Sequence, residues 1–564
     1  MFFLIGSAQQ PAVENLRETI SYLASDRLEG RFTGSEGERL ARDFIVQKLK
    51  SYGYDVKLQG FDALVGLKPV EYERRFFLFK VPRTYLRFGG RSYRLGEDFL
   101  PLSFSDDGKV KAEAVFAGWG ISDSTRDEYA GLDVKGKVVV LFRYSHPDSS
   151  KYDRFASIPT KLRIAKEKGA AAVIVVNPPD HEDDLRPLKA RDVMNSGILA
   201  LMVKRPVAES LLGRPLDSIY ARMLKGEVVS FPTGKVVDMG VKLKKEMAKA
   251  YNVVAVLPGK GGRWIGLGAH YDHLGWGGPG SGSLVPDTHA IHHGADDNAS
   301  GVAAVLEIAR LWAKRHPNHS LVFMFWSGEE IGLLGSKYFT EHPLLALDSA
   351  LVYINYDMVG RMRDSSLSVL GAYSGKGLDS LIARIISARG LKLNLGVGAV
   401  GPSDHTSFYL KGVPVAYFFT GPHEDYHKPS DTPDKIRYEG IAQVVSVSGE
   451  LLDSLMRLRD VEYVKVKEEA PKGGRLKKLR VKLGIIPAYA SRTKGVRVEG
   501  IVPGKPAEAA GLMVGDVIVA IGGKSIDNIY DYIDALQKYK PGDSTVITVL
   551  RGGQLVELTV RFPK

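Results

Sequence analysis

The chain has no cysteine among its 564 residues. Disulfides, thiol nucleophiles, iron–sulfur clusters and cysteine-ligated zinc are therefore excluded. The absence does not fix a compartment, because an oxidising space permits disulfides without requiring them. Any metal must be held by nitrogen and oxygen donors, and 13 histidines can supply the nitrogen. Long apolar runs are missing too: nothing reaches the roughly 18 residues of a membrane span. The apolar start (MFFLIG, then Ser7 and Ala8) lacks a basic front and is shorter than a full signal core. Read as the remnant of a signal peptide, Met1–Ala8 leads to the expectation of a secreted or periplasmic protein, with a cytoplasmic one as the alternative. Concentrated charge is the third absence. The net charge of +12 is diffuse, and its densest cluster, Lys472 to Lys482, reads as a basic linker rather than a nucleic-acid arm.

At roughly 150 residues per domain the length fits three or four domains. With 44% hydrophobic residues each can bury a core. Val13–Leu23 and Glu38–Tyr52 carry helical spacing, on either side of a Gly-rich polar loop, Asp26–Gly37. Residues 60–105 hold short aromatic and β-branched runs, as in strands. Between 108 and 243, two wholly apolar runs, Val138–Phe142 and Ala171–Val176, flank a helix over Thr160–Lys168. That is a small α/β unit with buried strands, and it reads as an insertion. The 240s look like a basic helix.

From 250 to 460 strands and helices alternate. The strands are Asn252–Leu257, Trp264–Ala269, Ser320–Trp326, Leu351–Tyr356, Leu367–Leu370 and Val413–Phe419; the helices are Ala299–Ala313, Lys376–Ala388 and Ile441–Leu458. This predicts a mixed sheet flanked by helices, with its site at the carboxyl ends of strands. Residues 461–475 form a linker, and 476–564 a compact β-rich domain with one helix, Ile529–Tyr539.

Polar residues stand where the strands end. His270 follows one strand in GAHYDHLG, with Asp272 placed to accept the outer N–H of a metal-bound imidazole. Asp296 and Asp297 sit together in GADDNASG; an N-cap by Asp297 or Asn298 explains one polar residue but not two adjacent carboxylates beside His289, His292 and His293. Glu329 and Glu330 follow an apolar strand, where their mutual repulsion is costly unless cations remove it. Asp357 ends another strand, and His427 lies in the polar loop EDYHKPSDTPD. Each alone is ordinary. Together they converge on an oxygen- and nitrogen-ligated zinc-type site. With five or more ligands, two cations about 3.5–4 Å apart would clamp an attacking hydroxide and the developing oxyanion.

The motifs HYDHLG, GADDNASG, SGEEIGLLGS, NYDMVG, PSDHTSF and YHKPSDTPDKI, in this order, resemble those of the M28 family of co-catalytic zinc aminopeptidases. The resemblance implies a mixed-sheet, helix-flanked zinc aminopeptidase domain (phosphorylase/hydrolase-like). That domain would be split between 11–107 and 244–460, with a protease-associated insert at 108–243. It implies two Zn2+ per chain, with Co2+ or Mn2+ as substitutes. His270 and Glu330 would be terminal ligands of different ions, Asp296 the bridge, and Asp357 and His427 the completing ligands. Glu329 would be the general base, Asp272 the partner of His270, and Asp404 and His405 would lend support. The substrates would be peptides with a free amino terminus. Carboxypeptidase-like and glutaminyl-cyclase-like chemistry, or a non-catalytic peptide-binding protein, are the alternatives. The tail resembles a PDZ domain, with Leu483-Gly484-Ile485-Ile486 as the loop that cradles a peptide's carboxyl terminus and Pro503–Leu512 as a turn and helix.

Overall fold

A computed structural model describes residues 10–75, 79–144, 152, 155–193, 196–396, 398–466, 481–487, 495–501, 505–513, 515–526, 532, 535, 536, 538–552 and 554–563. Met1–Ala8, most of the Lys472–Lys482 cluster, Pro503, Gly504 and much of the expected helix Ile529–Tyr539 lie outside these residues. The chain divides into two compact units: residues 64–247, and the segments on either side of them.

The larger unit is built on an eight-stranded sheet. Its strands are β1 Val56–Pro69, β2 Leu243–Leu257, β3 Trp264–His270, β4 Ser320–Trp326, β5 Ala350–Tyr356, β6 Ser366–Leu370, β7 Lys392–Leu395 and β8 Val415–Phe419, in the order β1-β2-β4-β3-β5-β8-β6-β7. The expected strands are all present. The basic stretch of the 240s is strand rather than helix: it is the first half of β2, where exposed Lys245, Met247 and Lys249 alternate with the less exposed Glu246 and Ala248. β4, β3, β5 and β8 are mutually parallel, with His270 level with Trp326. Their carboxyl ends therefore share one edge, which is where parallel sheets place sites.

Alternation along buried strands feeds two cores. Ile265, Leu267, Leu321, Phe323 and Phe325 face one cluster, with α1 (Val13–Leu23), α2 (Glu36–Ser51), α3 (Gly301–Trp312), α4 (Leu378–Ala388) and α5 (Tyr438–Leu455). Val322, Met324, Trp326 and Tyr353 face a second cluster with Phe339 and Phe408. Each large side chain so buried stabilises the fold by roughly 1.5–3 kcal/mol. Gly268 is required in β3, because a Cβ there would lie 2.2 Å from the Tyr353 hydroxyl.

The insert has its own eight-stranded sheet, in which Val138–Phe142 pairs in parallel with Ala172–Val176 and Gly108–Ala117. It is longer than the expected 108–243. Tyr85–Phe88 pairs with Ser230–Val241 and Phe99–Pro101 with Leu199–Val203, so 85–101 belongs with the insert's sheet, while β1 pairs in the larger unit's sheet. The tail forms a separate sheet around Val498, Ile518, Ile547 and Val549, with Ile485–Pro487 at its edge. Among the described residues no helix is long and apolar enough to cross a membrane.

Candidate metal centre

The strand ends bring His270, Glu329, Glu330, Asp357 and His427 into one place. Two groups of donor atoms gather there: His270 with Glu329 and Asp357, and His273 with Asp297 and Glu330. Asp297 joins them. Its Oδ1 lies 3.3 Å from His270 Nε2, and its Oδ2 lies 3.2 Å from His427 Nε2. Asp357 Oδ1 is 3.4 Å from the same His270 nitrogen, and Glu330 Oε2 is 3.2 Å from His427.

The expected bridge, Asp296, is displaced by its neighbour. Asp296 Oδ1 accepts the Gly360 N–H at 2.6 Å, and Oδ2 lies 3.1 Å from His423 Nε2, without hydrogen-bond alignment. The local backbone explains the exchange. Asp297 and Asn298 leave helical geometry (φ −105°, ψ 92° and φ −133°, ψ 42°), so adjacent side chains diverge. Asn298 caps α3 by accepting from Gly301 N at 2.9 Å, which frees Asp297 from that task.

The supporting contacts are polar and buried. His270 Nδ1 lies 3.2 Å from the backbone carbonyl of Asp272 and 3.7 Å from its Oδ1. The Asp272 carboxylate also accepts from Thr33 Oγ1 at 2.9 Å and from Glu329 N at 3.1 Å, so it holds the glutamate loop as well as the imidazole. His427 Nδ1 faces the Gly282 carbonyl at 3.0 Å, which directs Nε2 inward. Asp357 Oδ2 accepts from Ser403 Oγ at 2.7 Å; behind it Asn355 donates to Ser403, Tyr353 to Asn355 and Trp326 to Tyr353. Asp404 and His405 are buried, and His405 stacks on Tyr417.

The polar loop 26–37 carries residues that sequence reasoning passed over. Arg31 is fully buried and donates to the carbonyls of Tyr271, Leu23, His293 and Gly294. Gly30 lets the chain approach, since a Cβ there would meet the carbonyls of His292 and Gly275. Ser35 caps α2 by accepting from Glu38 N, and the Glu38 carboxylate accepts from Gly34 N and from Ser327 Oγ. His273 pairs with Glu330 at 2.7 Å. Asp431 accepts from Asp296 N and Asp297 N. Two of these had a signal: His273 lies in the HYDHLG motif and Asp431 in the His427 motif. The partners of Arg31, Thr33 and Glu38 lie mostly more than 200 residues away.

The charges point to cations. Burial works against a proton on His427, but Glu330 and Asp297 outweigh it and push the imidazole up to about 11. Burial likewise opposes ionised Glu330, yet His427 and His273 hold it at about 2. Burial raises Glu329 well above the carboxylate range, with Glu330, Asp357 and Asp404 adding repulsion over the pull of His270. Asp357 Oδ1 and His273 Nε2 are buried without a hydrogen-bond partner. Protons alone leave carboxylates in excess and donors unmet. Two divalent ions fit this set of nitrogen and oxygen donors.

Comparison with known proteins agrees. Residues 252–452 match peptidase family M28, 108–211 a PA domain and 464–562 a PDZ domain. The chain is 25% identical over 468 residues to aminopeptidase YwaD of Bacillus subtilis, covering 80% of this chain and 85% of that one. It is 25% identical over 408 residues to a probable lipoprotein aminopeptidase, LpqL, of Mycobacterium tuberculosis, covering 69% and 70%. In fold it resembles an aminopeptidase from Aneurinibacillus sp. strain AM-1, with TM-score 0.54, 24% identity and coverage of 82% and 96%.

Proposed function

The chain contains a peptidase family M28 domain, an inserted PA domain and a C-terminal PDZ domain, and on that premise we propose that it is a metal-dependent aminopeptidase. The observation that carries the reading is Asp297, one oxygen turned to His270 and the other to His427. His270, Asp297 and Asp357 would hold one ion, and Asp297, Glu330 and His427 the other, zinc being the ion such donors favour and cobalt or manganese able to replace it. Bound there, the ions would acidify water and polarise the scissile carbonyl.

The chain's own groups do the rest. Glu329 stands beside His270 and Asp357 and belongs to neither imidazole pair of Asp297. Its carboxylate takes the proton of the attacking water and returns it to the leaving amine. Burial and three neighbouring acids raise its proton affinity, which suits a group that must both accept and donate. Asp272 holds the Glu329 amide and faces His270, so base and ligand move as one body.

The substrates on this reading are peptides with a free amino terminus. The tail would take a peptide's carboxyl terminus as an added strand beside Ile485–Pro487, the sheet's edge, with Gly484 (φ +83°) in the loop before it. Glu329→Gln tests the core of the proposal. Turnover of free-amine peptides should fall about 10²- to 10⁴-fold with both ions retained. Full activity with metal bound removes Glu329 as the base. Cleavage of amino-blocked but not carboxy-blocked peptides turns the reading towards a carboxypeptidase.

A further inference from the structure

Two side chains outside the donor set hold the same stretch, 293–297, one through its carbonyls and the other through its N–H groups. Arg31 donates to the carbonyls of His293 at 2.7 Å and Gly294 at 3.1 Å. Asp431 Oδ2 accepts the N–H groups of Asp296 at 2.9 Å and Asp297 at 3.0 Å, and its backbone carbonyl accepts from Ala295 N at 3.0 Å. The remaining donors of Arg31 reach Leu23 and Tyr271, the residue directly after His270. The other Asp431 oxygen takes Arg361 at 3.3 Å, so Oδ2 is left for the two amides. Both residues are 0% exposed.

A guanidinium carries five N–H groups in a fixed plane, and an ionised carboxylate only accepts. Together they fix the peptide planes before and at Asp297, one through carbonyls and the other through amides. Arg31 also ties that stretch to the strand end that carries His270. We infer that Arg31 and Asp431 are positioning residues that hold Asp297 with one oxygen towards each imidazole, and so set the cation affinity of the shared site. The inference rests on the reading that Asp297 serves two ions. The buried ligand segment has no regular ladder of its own at Asp297 and Asn298, where the backbone leaves helical geometry, so its orientation depends on these external partners.

The test is zinc titration of the full chain in competition with a chromophoric chelator, beside an unfolding curve for each variant. Arg31→Met and Asp431→Ala should bind zinc about 10- to 100-fold more weakly while folded, the range typical of residues that orient ligands. Asp431→Asn keeps an oxygen for the two amides but gives up the contact with Arg361, and should bind zinc more tightly than Asp431→Ala. Ile385→Ala, buried in α4, lowers stability without touching this segment and should leave zinc affinity unchanged. If Arg31→Met does not fold, the Asp431 pair decides alone. Folded Asp431→Ala with wild-type zinc affinity, or Asp431→Asn as weak as Asp431→Ala, overturns the inference. A wild type that takes up no zinc overturns the metal reading itself, and the inference with it.

Discussion

Both units bury ionic clusters, and they differ in how they close. In the insert, Glu128 accepts from Trp119 N at 2.7 Å, Ile121 N at 3.0 Å and Arg126 Nε at 3.0 Å. Arg126 spends its other donors on the carbonyls of Gly226 and Glu227, and Lys161 donates to that of Trp119. Backbone N–H groups and one guanidinium satisfy the carboxylate, and carbonyl oxygens take the remaining donors of Arg126 and Lys161. At the strand ends of the larger unit, Asp272, Asp296, Asp297, Glu330, Asp357 and Asp404 are buried together, with orphaned atoms on Asp296, Asp357 and Asp404. A buried cluster that closes on itself is part of the scaffold. One with an acidic excess and unmet atoms has room for something positive.

Three changes would break or sharpen that contrast. Asp297→Asn should cost one or both ions and lower kcat/KM on the order of 10³-fold or more, whereas Asp296→Asn should keep both and lose about tenfold. Metal analysis and peptide hydrolysis on the two variants decide it, and the reverse order would return the bridge to Asp296. Next, Glu128→Ala leaves buried cations unpaired and should cost about 3–5 kcal/mol in denaturant unfolding, with zinc uptake of the folded chain unchanged. A shift in zinc affinity would show that the insert's cluster is not purely structural.

The smallest effect, taken per pH unit, is on pH dependence. Burial and Asp272 push Glu38 up to about 8 against its contacts with Ser327 and Gly34. Between the ordinary 4.5 and about 8 the unfolded chain releases this proton and the folded one keeps it. Glu38 therefore makes stability fall as pH rises through that window, by up to about 1.4 kcal/mol per pH unit. Burial lowers Lys161 to about 7 despite Glu128, so between about 7 and 10.5 the unfolded chain holds the extra proton and Lys161 makes stability rise with pH. Unfolding curves across pH for Glu38→Gln and Lys161→Met should lose slopes of opposite sign.

The strands of the peptidase sheet were legible because apolar runs bounded by polar residues have few other readings, and His270, Glu330, Asp357 and His427 do meet at their ends. Choosing between Asp296 and Asp297 was not open to sequence, since a turn of the backbone decides which of two adjacent side chains faces in. The loop 26–37 was legible as a loop but not as a brace, because the groups it holds are distant in the chain. The extent of the insert escaped for a related reason: Tyr85–Phe88 looks like any short strand until its partner, Ser230–Val241, is known.

The run of contacts from Trp326 to Asp357 also has a direction. An indole nitrogen can only donate, and an ionised carboxylate can only accept. The two ends therefore dictate every hydrogen between them: which way the Tyr353 and Ser403 hydroxyls point and which atom of Asn355 is the oxygen. Phenylalanine in place of Trp326 would leave the Tyr353 oxygen without its donor, while the carboxylate end alone would still fix the direction of Ser403, Asn355 and Tyr353. In isotopic terms these hydrogens should exchange slowly with deuterium, because all four donors are buried and each is held by its acceptor.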